Sequence, residues 1–368
     1  MKQKHIKRTS IIFAFLLILI SALYLSVTVS ISPKDTFWVE RNQAIMPVWV
    51  RGNIESGVFV IFNHGGPGSS GTLESIIEVN PANGDFNQES PFKILEEKYA
   101  VVYWDQRHSG LSKGNVDPNN SQGDDFGRDL AVVIAELEKR YDIKNRFLIG
   151  QSWGHFVASN YLASLEDWQS NQEKIDGYII YKGNYEQGMS YKISRDRILA
   201  HAENKIDNEQ DVEHWQEVVS FYRRRANLTE VADNWKHYEY VNEVMGASSS
   251  FLDRIGSSVK ASFFSPFNGF KYYFNNRATT RATEFYSRVV TDQSMAETIH
   301  RIDIPTLLIY GRMDIIAPVE VGEFIYNEIK TNEQDKKLIV LEQSRHGAEY
   351  EDRERLQNAI IDFIETYR

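Results

Sequence analysis

Gly150-Gln151-Ser152-Trp153-Gly154 fits the pattern G-x-S-x-G and lies between a strand-like run, Phe147 to Ile149, and a helix-like stretch, Phe156 to Leu165. A serine on so sharp a strand-to-helix turn is lifted clear of the sheet; small flanking glycines let the strained turn close, and the helix N-terminus behind favours developing negative charge. Serine is a weak nucleophile at neutral pH, so it needs an imidazole within hydrogen-bond reach and a carboxylate that holds the imidazole in one tautomer. Asp314 follows the apolar run Leu307 to Tyr310 through Gly311-Arg312-Met313, and His346 follows Leu338 to Leu341 through Ser344-Arg345. Both stand just past strand ends, in the chain order serine, acid, histidine. His5 is in the tail, His201, His214 and His237 lie in a long polar stretch, and His300 precedes a strand, so His346 is the expected base. Glu342 and Glu349 read as solvated charges. His64-Gly65-Gly66-Pro67-Gly68 follows the run Val58 to Phe62, where glycines expose backbone N–H groups. Gly66, in preference to Gly65, and the N–H of Trp153 are the expected oxyanion donors, a pair worth several kcal/mol of barrier.

These residues need a rigid sheet to converge. Val58 to Phe62, Ala100 to Trp104, Phe147 to Ile149, Tyr178 to Tyr181, Leu307 to Tyr310 and Leu338 to Leu341 are short apolar runs without strict alternation. Strands apolar on both faces belong to a mostly parallel sheet covered by helices on both sides. Two β-like stretches, Phe37 to Val39 and Val48 to Val50, with a turn at Arg41-Asn42, read as an antiparallel lead-in. Phe126, Leu130, Val133, Ile134, Leu137 and Tyr141 share one helical face, and Leu356, Ile360, Ile361 and Ile364 repeat the pattern at the C-terminus. The alternation of strand and helix predicts a doubly wound α/β body over 34–183 and 301–368. It fails over 184–300, which reads as a helical insertion rich in aromatics, among them Trp215, Phe221, Tyr222, Trp235, Tyr240, Phe263, Phe264, Phe267 and Tyr272 to Phe274. Most of these would form the insertion's own core, and a few would roof a pocket.

The chain has 368 residues, 42% hydrophobic, enough for one enzyme-sized body with an insertion. A formal net charge of -10 and no basic stripe beyond the first ten residues argue against a nucleic-acid partner. The absence of cysteine excludes disulfides, thiolate metal sites and a thiol nucleophile. Lys2, Lys4, Lys7 and Arg8 precede an uncharged run from Ser10 to Pro33. Residues 1–33 are therefore expected to form a basic segment and a single transmembrane anchor, with the basic end cytoplasmic and the catalytic body extracytoplasmic. A cleaved signal peptide and a secreted enzyme is the alternative.

HGGPG at His64 to Gly68, Trp104-Asp105-Gln106-Arg107-x-Ser109-Gly110, and Gly150 to Gly154 with Trp153 after the serine together resemble the proline iminopeptidase family of α/β-hydrolases. The resemblance implies an α/β-hydrolase fold with a helical cap over the site and an exopeptidase that releases N-terminal residues from short peptides without a cofactor or metal. It supports the same triad, Ser152, Asp314 and His346. A carboxylesterase or amidase acting on other acyl compounds, or an idle surface binding protein, would carry the same features. Two positions depart from the family: His108 stands where these enzymes usually have Gly, and His155 follows the nucleophile turn. Either would line the pocket or simply pack. An aminopeptidase must also meet the substrate's free amine with cap carboxylates, for which Glu186 and Glu239 are the candidates. Arg107 and Asp105 read as a structural loop pair.

Overall fold

The computed structural model of the chain describes residues 13–21, 35–76, 90–225, 231–246, 265–267, 294–346 and 352–368. Its sheet comprises β1 (Thr36–Arg41), β2 (Ala44–Gly52), β3 (Val58–Asn63), β4 (Ala100–Trp104), β5 (Lys113–Gly114), β6 (Asn145–Gln151), β7 (Gly177–Tyr181), β8 (Thr306–Gly311) and β9 (Lys336–Leu341). The spatial order is β1-β2-β4-β3-β6-β7-β8-β9, with β5 paired to β2. From β4 to β9 every pairing is parallel, and only β1, β2 and β5 join antiparallel. The lead-in strands are longer than their apolar stretches, and the turn between them falls at Asn42 and Gln43, both at positive φ.

β3 shows why these runs lack polar alternation. Phe59 and Ile61 enter the core on one face of the sheet, Val60 and Phe62 that on the other, and all four are buried. Each such side chain contributes roughly 1.5–3 kcal/mol on burial. Helix α1 (Gly123–Arg140) covers the first face through Phe126, Leu130, Val133, Ile134 and Leu137. Helix α7 (Arg353–Tyr367) covers the second through Leu356, Ile360, Phe363 and Ile364. Between β6 and β7 the chain passes through α2 (Trp153–Ser159) and a π-helical turn, Asn160–Ser164.

Between β7 and β8 lie α3 (Gln187–Asp207), α4 (Val212–Arg223) and α5 (Val231–Val244). Tyr191, Ile198, Trp215, Val218, Tyr222 and Tyr240 form an apolar cluster there that also takes in Ile315, next to Asp314. Trp235 is exposed, and Phe267 packs on Leu73 and Leu111. Phe263, Phe264 and Tyr272 to Phe274 lie outside the described residues. Helix α6 (Val319–Glu328) follows β8.

The transmembrane anchor expected over the N-terminal run is not found. Among the described residues no helix is long and apolar enough to cross a membrane. The described helical residues 13–21 are exposed. The membrane as partner, the single-pass topology and the extracytoplasmic placement drawn from that run are therefore withdrawn.

Candidate active site

Ser152 sits between the last residue of β6 and the first of α2 at φ 51°, ψ −117°, a backbone conformation that costs of order 1–3 kcal/mol for a residue with a side chain. Packing holds it there. The Ser152 N–H donates to Tyr181 O of β7 (2.9 Å), and the chain passes so close to β3 that a Cβ on Gly154 would lie 1.9 Å from Asn63 O.

The Ser152 hydroxyl lies 3.0 Å from His346 Nε2, and His346 Nδ1 lies 2.7 Å from Asp314 Oδ2. Asp314 is fully buried; its other oxygen accepts the N–H groups of Ile316 (2.8 Å) and Ala317 (3.0 Å). Burial alone would raise its carboxyl, but the charge of and hydrogen bond to His346, with Lys182 and the Ala317 amide, outweigh burial and hold it below the usual carboxylate range. An ionised Asp314 accepts the proton on Nδ1. Nε2 is thereby left as the acceptor facing Ser152, the tautomer a general base requires. The three side chains leave the C-terminal ends of β6, β8 and β9, positions set by the parallel register that pairs Gly311 with Leu341.

The glycine loop after β3 lies against this row. A Cβ on Gly65 would stand 3.4 Å from that of Ser152, while Gly66 has φ 127° and a Cβ there would meet Gly68 N at 2.7 Å. The amide of Trp153 is the first of α2, at the positive end of that helix.

Gln106 ties together the loops beside Ser152, a role that its place in the Asp105-Gln106-Arg107 motif did not announce. Its side chain accepts from Trp153 Nε1 (2.9 Å) and donates to His64 O (2.9 Å), and its backbone N–H donates to His64 Nε2 (3.2 Å). His64 Nδ1–H donates to Gly65 O at 2.6 Å, and burial pulls the imidazole down to about 4, so it stays neutral. One residue thus joins the three motifs, and their co-occurrence was the signal that could have revealed it.

Asp105 and Arg107 are structural but not paired with each other: Asp105 accepts from Ser70, Thr72 and the Leu111 N–H, and Arg107 forms a bidentate pair with Asp129 (2.5 and 2.7 Å). His108 is buried at φ 60°, its Nε2 2.7 Å from Ser121 Oγ. His155 has no exposed surface; its Nδ1 is 2.5 Å from the Tyr178 hydroxyl, and burial lowers it to about 3. Glu186 is exposed at the start of α3, and Glu239 is exposed and paired with Lys236 (2.9 Å). Glu342 is exposed and paired with Arg312, while Glu349 lies outside the described residues. Among the described residues no group of three or more His, Asp or Glu side chains is arranged to hold a metal ion.

The model of the alpha/beta hydrolase fold family matches residues 58–352, most of the chain and all of the positions above from His64 to His346. The chain belongs to this family. It is similar to a probable aminopeptidase, YbaC, of Bacillus subtilis (strain 168), 24% identical over 82% of this chain and 87% of that protein. It is also similar to a proline iminopeptidase of Xanthomonas citri, 25% identical over 71% of this chain and 75% of the other. Among solved structures, the esterase RhEst1 from Rhodococcus sp. ECU1013 shares the fold at a TM-score of 0.55, with 17% identity, over 91% of this chain and all of that one.

Proposed function

We propose that the chain is a serine hydrolase of aminopeptidase type that releases N-terminal residues from short peptides. The observation that carries this reading is the row Ser152–His346–Asp314, hydrogen-bonded end to end at 3.0 and 2.7 Å. Ser152 attacks the scissile carbonyl as His346 Nε2 takes its proton; Asp314 stabilises the resulting imidazolium, and the tetrahedral oxyanion is met by the amides of Gly66 and Trp153. His346 then returns the proton to the leaving amine. Water repeats the sequence on the acyl-enzyme and frees Ser152.

The similarity to proteins named aminopeptidase and proline iminopeptidase supports the exopeptidase reading over general acyl transfer. The insertion of α3, α4 and α5 after β7 serves as a cap that restricts the site to small substrates. A free amine on the substrate calls for a carboxylate. Of the two candidates we favour Glu186, which follows β7 by five positions; the last residue of β7 accepts the Ser152 N–H. Glu239 is engaged with Lys236. His108 and His155 act in this scheme as packing groups.

A fluorophosphonate probe should label the protein, and Ser152→Ala should lose the label. Free aminoacyl arylamides, proline among them, should be cleaved while their N-blocked forms are not. Equal turnover of both, or turnover of esters alone, would replace the aminopeptidase reading with that of a carboxylesterase or amidase. No label and no turnover would leave a binding protein.

A further inference from the structure

His346 follows β9, which among the described residues stands at the edge of the sheet and pairs with β8 alone. On the β8 side its loop is held by backbone bonds, Arg312 N–H to Leu341 O (2.9 Å) and Met313 N–H to Ser344 O (3.1 Å). The residue immediately before His346 is held from two strands away. Lys182 directly follows β7, donates its backbone N–H to Ile309 O of β8 (2.9 Å), and extends its ammonium to the carbonyl of Arg345.

Lys182 carries two costs that chain packing does not require. It is fully buried, and its backbone lies at φ 53°, a region that disfavours residues with a side chain. A buried ammonium is costly unless it is paired, whereas a tie to one carbonyl needs only a neutral donor. Its positive charge acts on Asp314, whose carboxylate it helps to keep ionised. Arg197 of α3 approaches the same loop but donates to the Asp314 backbone carbonyl (2.9 Å) and pairs with Glu320 (2.7 Å), so its charge is already met.

We propose that Lys182 is a positioning residue of the Ser152 site: it fixes the loop that carries His346 through the Arg345 carbonyl and opposes a positive charge to the Asp314 carboxylate. The inference rests on the serine-hydrolase reading above. It makes the geometry of the base depend on a residue outside the triad.

The test measures kinact and KI for a fluorophosphonate probe on the wild type, Ser152→Ala, Lys182→Met, Lys182→Gln and Lys182→Arg. Lys182→Met should lower kinact by about tenfold to hundredfold, as a small misplacement of an acting group does. KI should stay within about twofold of wild type, since the probe's binding surface is untouched. Lys182→Arg, which keeps the charge, should recover most of the rate, and Lys182→Gln, which keeps only a donor, should not. The downfield proton resonance of the His346–Asp314 hydrogen bond should weaken in Lys182→Met and persist in Lys182→Arg. Wild-type kinact in Lys182→Met, or equal rates for the Gln and Arg variants, overturns the proposal. Loss of cooperative melting in both neutral variants assigns the lysine to stability alone and overturns it too. Persistent labelling of Ser152→Ala instead sinks the underlying triad, which keeps the two failures apart.

Discussion

Replacing Asp314 by Asn keeps the shape of the side chain and changes only what its two outer atoms can do. One carboxylate oxygen accepts two backbone N–H groups, at 2.8 and 3.0 Å, and the other accepts one imidazole N–H at 2.7 Å. An amide has a single oxygen, and it satisfies more donors facing Ile316 and Ala317. The NH2 group then faces His346 Nδ1, which must become an acceptor, and the proton moves to Nε2, the atom that has to receive the proton of Ser152. The orienting charge is lost with it. Where this tautomer switch has been isolated in a serine hydrolase the rate falls by about 10⁴, equivalent to about 5.5 kcal/mol of barrier. Stability should change far less, by about 1 kcal/mol, because each donor still has an acceptor. Asp314→Ala, by contrast, leaves the buried Ala317 amide without its acceptor and should cost about 1–3 kcal/mol more. The assay is single-turnover acylation by a fluorophosphonate probe, with thermal melts of the same samples. Asp314→Asn retaining more than about a tenth of the wild-type rate would show that this carboxylate does not set the tautomer, and the mechanism above would fail.

Gly66→Ala places a Cβ 2.7 Å from Gly68 N at φ 127° and should lower kcat on an aminoacyl arylamide by about 10² or more, the scale of a lost oxyanion donor. Asp129→Asn breaks a bidentate pair with Arg107 in which both side chains are almost fully buried; it should cost about 3–5 kcal/mol in a urea titration, the scale of a broken buried pair. Gln106→Leu strands Trp153 Nε1 and the His64 carbonyl, so kcat and the unfolding midpoint should fall together, by about 1–3 kcal/mol in stability. His64 and His155 are held neutral by burial, at about 4 and about 3, below the unfolded value near 6.5. A depressed folded value gives stability that is present above 6.5 and lost as pH falls, at about 1.4 kcal/mol per pH unit for each fully titrating group. Melting temperature should therefore drop between pH 6.5 and pH 4. His155→Phe should flatten that dependence, and an unchanged slope would refute the assignment.

The approach of Ser152, His346 and Asp314 was legible because each sits within a few residues of a strand end, and a strand buried on both faces leaves a plain apolar run. The order serine, acid, histidine then follows from the parallel register of β6, β8 and β9. The links across the molecule were not legible. Gln106 joins His64 to Trp153 over 42 and 47 positions, and Lys182 reaches Arg345 over 163; nothing local in either side chain announces a partner that far away. Arg107 and Asp105 were read together because they are neighbours in the chain. They turn to opposite partners because the loop after β4 faces both α1 and the helix at Gly71–Glu74. The N-terminal run misled for a different reason: hydropathy measures preference for an apolar medium, and that preference alone does not make a span.

The contorted backbone at Ser152 sets stability against activity at one codon. Glycine alone would relax that torsion, and glycine carries no hydroxyl. Under the mechanism proposed above, a library of variants selected only for heat resistance would drift toward discarding the nucleophile, so any effort to harden this protein has to screen for turnover at every round.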